Sequence, residues 1–116
     1  MATKRSALPD LAVAKVKRFC DQKIPEHVRD QLVWVVETRG RSIMIYENRP
    51  PWREDFGPEW SKREIARFLY DPDTMTWTLY WANRHGRWLK VPDAPPADDV
   101  EPLLRIVQED RTGAFE

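Results

Sequence analysis

Residues 48–60 read NRPPWREDFGPEW, and this stretch divides a strand-rich chain into two pairs of strands. Pro50 and Pro51 have no amide donor and cannot extend a central strand, so the polypeptide must leave any sheet at Arg49. The segment is too irregular for a helix and too apolar for a solvated linker. Left in water, Trp52, Phe56, Pro58 and Trp60 would expose a sizeable apolar patch. The loop is therefore expected to fold back over one sheet face, keeping Arg49, Arg53, Glu54 and Asp55 beside aromatic walls. It then serves either as a lid that closes the core, with its arginines stacked on Trp or paired with the acids, or as a ligand cleft, a common use of long ordered loops.

On the N-terminal side of the loop, residues 28–39 carry the β-branched and aromatic run LVWVV, which predicts a central strand buried on both faces. Gly40 supplies a tight turn into a second strand over residues 42–47, paired antiparallel to the first. In it Ile43 and Ile45 share one face, and Met44 and Tyr46 the other. On the C-terminal side, residues 63–70 alternate Ile65 and Leu69 against Ala66, Phe68 and Tyr70. Residues 75–81 alternate Trp77, Leu79 and Trp81 against Thr76, Thr78 and Tyr80. The Asp-Pro-Asp-Thr of residues 71–74 is turn chemistry that joins these two as a second hairpin. Residues 83–86, NRHG, turn again into a short fifth strand over residues 87–91.

Helices flank this sheet. Residues 6–23 place Leu8, Ala12, Val16, Phe19 and Cys20 on one stripe at three- and four-residue steps, with Ser6 as N-cap and Pro9 and Asp10 in the first turn. Ile24 before Pro25 ends that helix. Asp98 and Glu101 have capping-box spacing, Pro102 is tolerated in a first turn, and Val100, Leu103, Leu104 and Val107 give a second stripe to about Glu109. Phe115 is placed to tuck back. The fold class is α+β: an antiparallel sheet of about five strands, two hairpins and a short fifth strand, with an N-terminal and a C-terminal helix packed on one face.

The 116 residues are expected to make a single domain, large enough to bury a core without disulfides or a structural metal. The 19 basic and 19 acidic residues cancel, so net charge gives no push toward nucleic acid or an acidic membrane surface. Residues 1–67 hold 14 basic against 10 acidic groups and residues 68–116 hold 5 against 9, an asymmetry that packing the two parts together would neutralise. The single cysteine, Cys20, excludes an internal disulfide and any multi-cysteine zinc site, and a reducing cytoplasm is the expected location. Cys20 itself reads as a small core residue. Lys and Arg interrupt the apolar part of MATKRSALPDLAVAKVKRF, which therefore does not read as a signal peptide, and no apolar run spans a bilayer.

Arg84, His85 and Arg87 cluster on the third turn with Trp88 and Lys90 beside it. Basic groups interleaved with aromatics can hold single-stranded nucleic acid by phosphate contact and base stacking. Charged hairpin tips also serve simply to discourage edge-to-edge aggregation. For an enzyme, the hydrolase-type combinations available are the loop carboxylates with His85, or a carboxylate pair such as Glu54 with Asp55 or Asp71 with Asp73. No nucleophile–base motif, Gly-rich phosphate loop or metal-ligand spacing accompanies them, so no catalytic residue, metal or cofactor is assigned.

Taken together, the strings RPPW and TWTLYW, the run from PEHVRDQLVWVV through GRWLKV, the PP linker and the closing DRTGAF resemble a small bacterial family known as domain of unknown function 3024. The resemblance runs from about Ile24 to Phe115 and carries over no catalytic residue. The reading of the sequence is a cytoplasmic, non-enzymatic binding or interaction module of unknown ligand. Its candidate site is Arg49, Trp52, Arg53, Asp55 and Trp60 of the loop with Arg84, His85, Arg87 and Trp88 of the hairpin. The sheet face opposite the helices is to be covered by the loop or by a second copy in a homodimer.

Overall fold

A computed structural model describes residues 9–51, 60–92, 94–110 and 115. Helix α1 (Asp10–Lys23) comes first. Five strands follow, β1 (Val33–Arg39), β2 (Ser42–Arg49), β3 (Ser61–Asp71), β4 (Thr76–Ala82) and β5 (Trp88–Lys90), and helix α2 (Glu101–Glu109) comes last. The strands form one antiparallel sheet in chain order, which is the expected α+β arrangement.

Each tight turn has a local cause. Arg39 pairs with Ser42 across a two-residue turn in which Gly40 takes φ +57°, a conformation that costs glycine little. Ile24 is extended before Pro25 and closes α1, its amide bonding the Cys20 carbonyl at 3.2 Å. Arg29 then donates from Nε to the Ile24 carbonyl and from Nη2 to the Asp21 carbonyl, satisfying acceptors that the helix end leaves open.

The expected central strand over residues 28–39 needs correcting. Residues Glu26–Val28 form a 3-10 turn, with the amides of Gln31 and Leu32 both bonding the Val28 carbonyl, so β1 starts only at Val33. It is also an edge strand, and its Val33, Val35 and Val36 are half-buried. A β-branched run suits a half-buried edge as well as a centre, whereas burial on both faces needs a partner on each side. That position belongs to β2, where Ser42, Ile43, Met44 and Ile45 are all buried.

Across the sheet, Ile43 pairs with Phe68 and Phe68 with Leu79, giving an apolar row on the face that both helices cover. Val16, Cys20 and Ile24 of the α1 region and Val100, Leu103, Leu104 and Val107 of the α2 region close over it. Each large apolar side chain buried here contributes about 1.5–3 kcal/mol. The predicted alternation in β3 is interrupted by a bulge: Ile45 pairs with Ala66 but Tyr46 pairs with Glu64, and the extra residue, Ile65, is buried together with Ala66. Beyond the bulge Arg63 comes onto the helix-covered face opposite Glu47.

Helix α1 begins one residue after Pro9, while the predicted cap Ser6 and stripe residue Leu8 lie outside the described residues. At α2 the capping carboxylate is Asp99 and not Asp98. The helix begins at Glu101, so the residue two positions earlier is the one whose Oδ1 reaches the Glu101 amide, at 3.0 Å. The Lys15 ammonium bonds the same carboxylate at 2.9 Å, tying α1 to the start of α2. Past β5, Ala97 exchanges both backbone hydrogen bonds with Trp77 and so covers part of the outer edge of β4.

Candidate functional site

The antiparallel register places the start of β1, the end of β2, the start of β3 and the β4–β5 turn at one end of the sheet. Here β2 stops at Arg49, before Pro50, and β3 begins at Ser61; the two residues pair, and the Ser61 hydroxyl donates to the Arg49 carbonyl at 3.3 Å. Trp60 is exposed beside this root. Trp52, Arg53 and Asp55 lie outside the described residues.

Behind Arg49 stands a buried carboxylate. Glu47 faces the helices, across from Trp34 in register. Its Oε1 accepts the Trp34 indole N–H at 3.1 Å, its Oε2 accepts Nε of Arg49 at 2.7 Å, and Nη2 of Arg63 lies 3.7 Å from Oε1. Burial pushes the Glu47 carboxyl up, but hydrogen bonds from Arg49 and Trp34 and the positive charges of Arg63 and Arg49 outweigh it. The group therefore sits below the ordinary carboxylate range. An anion is thus held charged inside the domain by donors on both of its oxygens.

This arrangement lines a cavity of about 300 Å³. Ile24, Leu32, Trp34, Val107 and Phe115 supply apolar wall, and Lys23 and Arg49 bring positive charge. The Lys23 ammonium sits 5.8 Å from the centre of the Trp34 ring. Asp110 and Phe115, beyond α2, also line the cavity. Asp110 takes a left-handed conformation, φ 46°, and its Oδ1 accepts the amide of Phe115 at 3.1 Å, and the Phe115 ring is buried.

The β4–β5 turn is a separate construction at the same end. Oδ1 of Asn83 accepts the amides of His85 and Arg87 at 2.9 and 3.0 Å, and Gly86 has φ +77°. Arg84, His85 and Arg87 are exposed. Trp88 pairs with Ala82 and belongs, with Tyr80, to the sheet face away from the helices. The predicted site residues that are described therefore fall in three places: Arg49 and Trp60 at the loop root, Arg84, His85 and Arg87 on the turn, and Trp88 on the face away from the helices.

That second face is coated by its own long side chains. Lys62 pairs with Glu37 at 3.0 Å and lies 4.2 Å from the centre of the Tyr46 ring. Arg67 donates from Nε to the Ser42 hydroxyl at 2.8 Å and lies 5.6 Å from the centre of the Tyr80 ring. Met44 beneath them is buried, and Oδ1 of Asn48 is buried without a hydrogen-bond partner among the described residues. Cys20 is buried on the helix side; desolvation, then the neighbouring Asp21, pushes its thiol up to about 12, far from a reactive thiolate. Among the described residues no group of three or more His, Cys, Asp and Glu gathers as metal ligands, and no helix is long and apolar enough to cross a membrane.

Trp34, Glu47 and Lys23 were not among the residues singled out by sequence. Counting outward from the Arg39–Ser42 pair sets Trp34 opposite Glu47, so part of the site could have been found that way. These features define an α+β domain with an open antiparallel meander, helices on one face and a charged concavity at the strand ends. The chain belongs to the family described as domain of unknown function (DUF3024), whose model matches residues 5–116. No curated protein and no solved structure matches it.

Proposed function

We propose that this protein is a small, non-enzymatic binding module of the cytoplasm that takes its ligand at the strand-end concavity around Arg49. The observation that carries the reading is the state of the Arg49 guanidinium. Its Nε is engaged by Glu47, while its terminal nitrogens have no partner among the described residues. An arginine oriented through Nε presents a planar two-pronged donor, the geometry that binds carboxylate or phosphate. The cytoplasmic assignment is supported by one buried, protonated cysteine.

The test is a thermal-shift panel of small organic acids, nucleotides and short oligonucleotides, run on the wild type and on Arg49→Gln. The reading expects at least one member to raise the wild-type midpoint and to lose that effect in the variant. A panel with no stabilising member, or one whose stabilisation survives Arg49→Gln, would falsify it.

A second reading, single-stranded nucleic acid on the β4–β5 turn, draws support from the exposed Arg84, His85 and Arg87 next to Trp88. It predicts salt-sensitive anisotropy changes with labelled oligo-dT or oligo-U that diminish in Arg84→Ala and Arg87→Ala. No change with either oligomer at low salt removes it.

A further inference from the structure

We infer that the ligand of the strand-end cavity is a small monocarboxylate with an apolar, preferably aromatic, body. The inference rests on the proposal that this cavity is the binding site and adds the ligand's chemical class. Three features of the cavity argue for it.

The first is the donor set. Arg49 offers its terminal nitrogens, and Lys23 offers an ammonium that has no ion pair among the described residues and stands over the Trp34 ring. Glu47 takes the Trp34 indole N–H on one oxygen and only Nε of Arg49 on the other, which orients the guanidinium with its terminal nitrogens turned to other partners. A carboxylate has two acceptor oxygens that match the guanidinium fork.

The second is the charge balance. Lys23 and Arg49 share the cavity wall with Glu47, Glu109 and Asp110. Arg63 offsets part of the Glu47 charge from behind. Counting Arg63, three cations face three carboxylates, so the wall carries no net positive charge; one added negative charge is accommodated only in contact with Arg49 and Lys23 and a second is not, which disfavours a phosphate monoester against a carboxylate.

The third is the wall. Leu32, Trp34, Val107 and Phe115 leave apolar surface that a bare acetate ion would not cover, and a ring can lie against the Trp34 indole. A volume of about 300 Å³ is at the small end of ligand sites, which run from about 300 to 1,000 Å³. It accommodates a compact acid and excludes a nucleotide.

The probes are phenylacetate, acetate and inorganic phosphate, titrated into the wild type and into Arg49→Gln and Lys23→Gln while amide and indole N–H resonances are followed. Phenylacetate is expected to shift the Trp34 indole signal and saturate, acetate to bind more weakly, and phosphate more weakly still. Losing a charged hydrogen-bonding partner in Arg49→Gln should weaken phenylacetate roughly ten- to a hundred-fold. Arg49 is largely exposed, but Arg49→Gln also removes a partner of buried Glu47, so a lowered melting temperature is expected and the fold of the variant is verified by the dispersion of its amide resonances; Lys23→Gln is the second, independent probe of the same donor set.

If phosphate binds more tightly than phenylacetate and still depends on Arg49, the ligand class is wrong and the site stands. The same holds if another acid or a nucleotide from the thermal panel binds at Arg49 while phenylacetate does not. Phenylacetate shifts that appear away from Trp34, or that persist in both variants, overturn the placement. No binding by any probe or panel member overturns both proposals.

Discussion

Two tryptophans on the helix-covered face stand at opposite ends of the sheet and have different work. Trp77 of β4 is only 2% exposed at the edge of a cleft of about 520 Å³: its backbone bonds Ala97 in both directions, and its ring lies 4.6 Å, centre to centre, from Tyr70. Trp34 of β1 spends its N–H on a buried carboxylate, carries Lys23 over its face and lines a cavity. The charges nearby differ in the same sense. At the Trp77 end, Lys15 holds both oxygens of Asp99, which also caps α2, and it reaches Glu101 at 3.9 Å. At the Trp34 end the carboxylate takes one donor on each oxygen, and Arg49 and Lys23 keep donors in hand. A polar group whose partners are complete holds a fold together; one with donors left over is equipped to hold something else.

The largest effect that separates the two ends is truncation of Trp77. Trp77→Ala removes a side chain only 2% exposed and leaves a cavity where β4, Tyr70 and the linker meet. A loss of about 3–5 kcal/mol is expected in urea unfolding. Trp34→Phe keeps most of the apolar volume but strips a donor from Glu47, and about 1–2 kcal/mol is expected. If Trp34→Phe proved as damaging as Trp77→Ala, the division of one end as plug and the other as site wall would be wrong.

Glu47→Gln sharpens the division through its pH dependence. The folded-state carboxyl lies below its ordinary value of 4.5, so its contribution to stability is complete above that value and is lost as the pH falls through the lower folded value. At neutral pH the variant should be about 1–3 kcal/mol less stable, because Arg49 and Arg63 lose their counter-charge. The gap from wild type should narrow in acid, as the wild-type carboxyl takes up its proton. A gap that stays constant well into the acid range would mean that Glu47 acts by shape and not by charge.

Much of this architecture was legible in the chain because its turns are explicit. Gly40, the Asp-Pro-Asp-Thr run and NRHG punctuate period-two strands, and the proline pair at residues 50 and 51 marks where β2 must stop. What sequence could not supply depended on neighbours in space. The LVWVV run reads equally as a centre or an edge until the strand order is known, and the bulge at Ile65 exists only in relation to β2. Asp98 and Asp99 differ by one residue, and only the observed helix start selects between them. In the site, Arg49 stood out because it precedes the prolines. Glu47 did not, since a glutamate in an alternating strand reads as facing solvent until its partner at Trp34 is counted. Lys23 was hidden more completely, because its place over Trp34 depends on how α1 packs on β1.

The smallest expected effect lies at the Trp77 end, in the β3–β4 turn. Met75 takes φ 56° there and is largely exposed, so a β-carbon sits in the left-handed region without buried contacts to offset the strain. Met75→Gly relieves that strain but also gives the unfolded chain more freedom, and the two effects oppose each other. Strain relief should prevail by about 0.5–1 kcal/mol, seen as a small rise in melting temperature. The cavity at the other end should not notice, and an acid that binds there should titrate alike in Met75→Gly and wild type. Should the variant instead lose stability, the Met75 side chain must be making contacts that its exposure conceals. Its proximity to Leu11, which is also exposed on the same rim, would be the place to look.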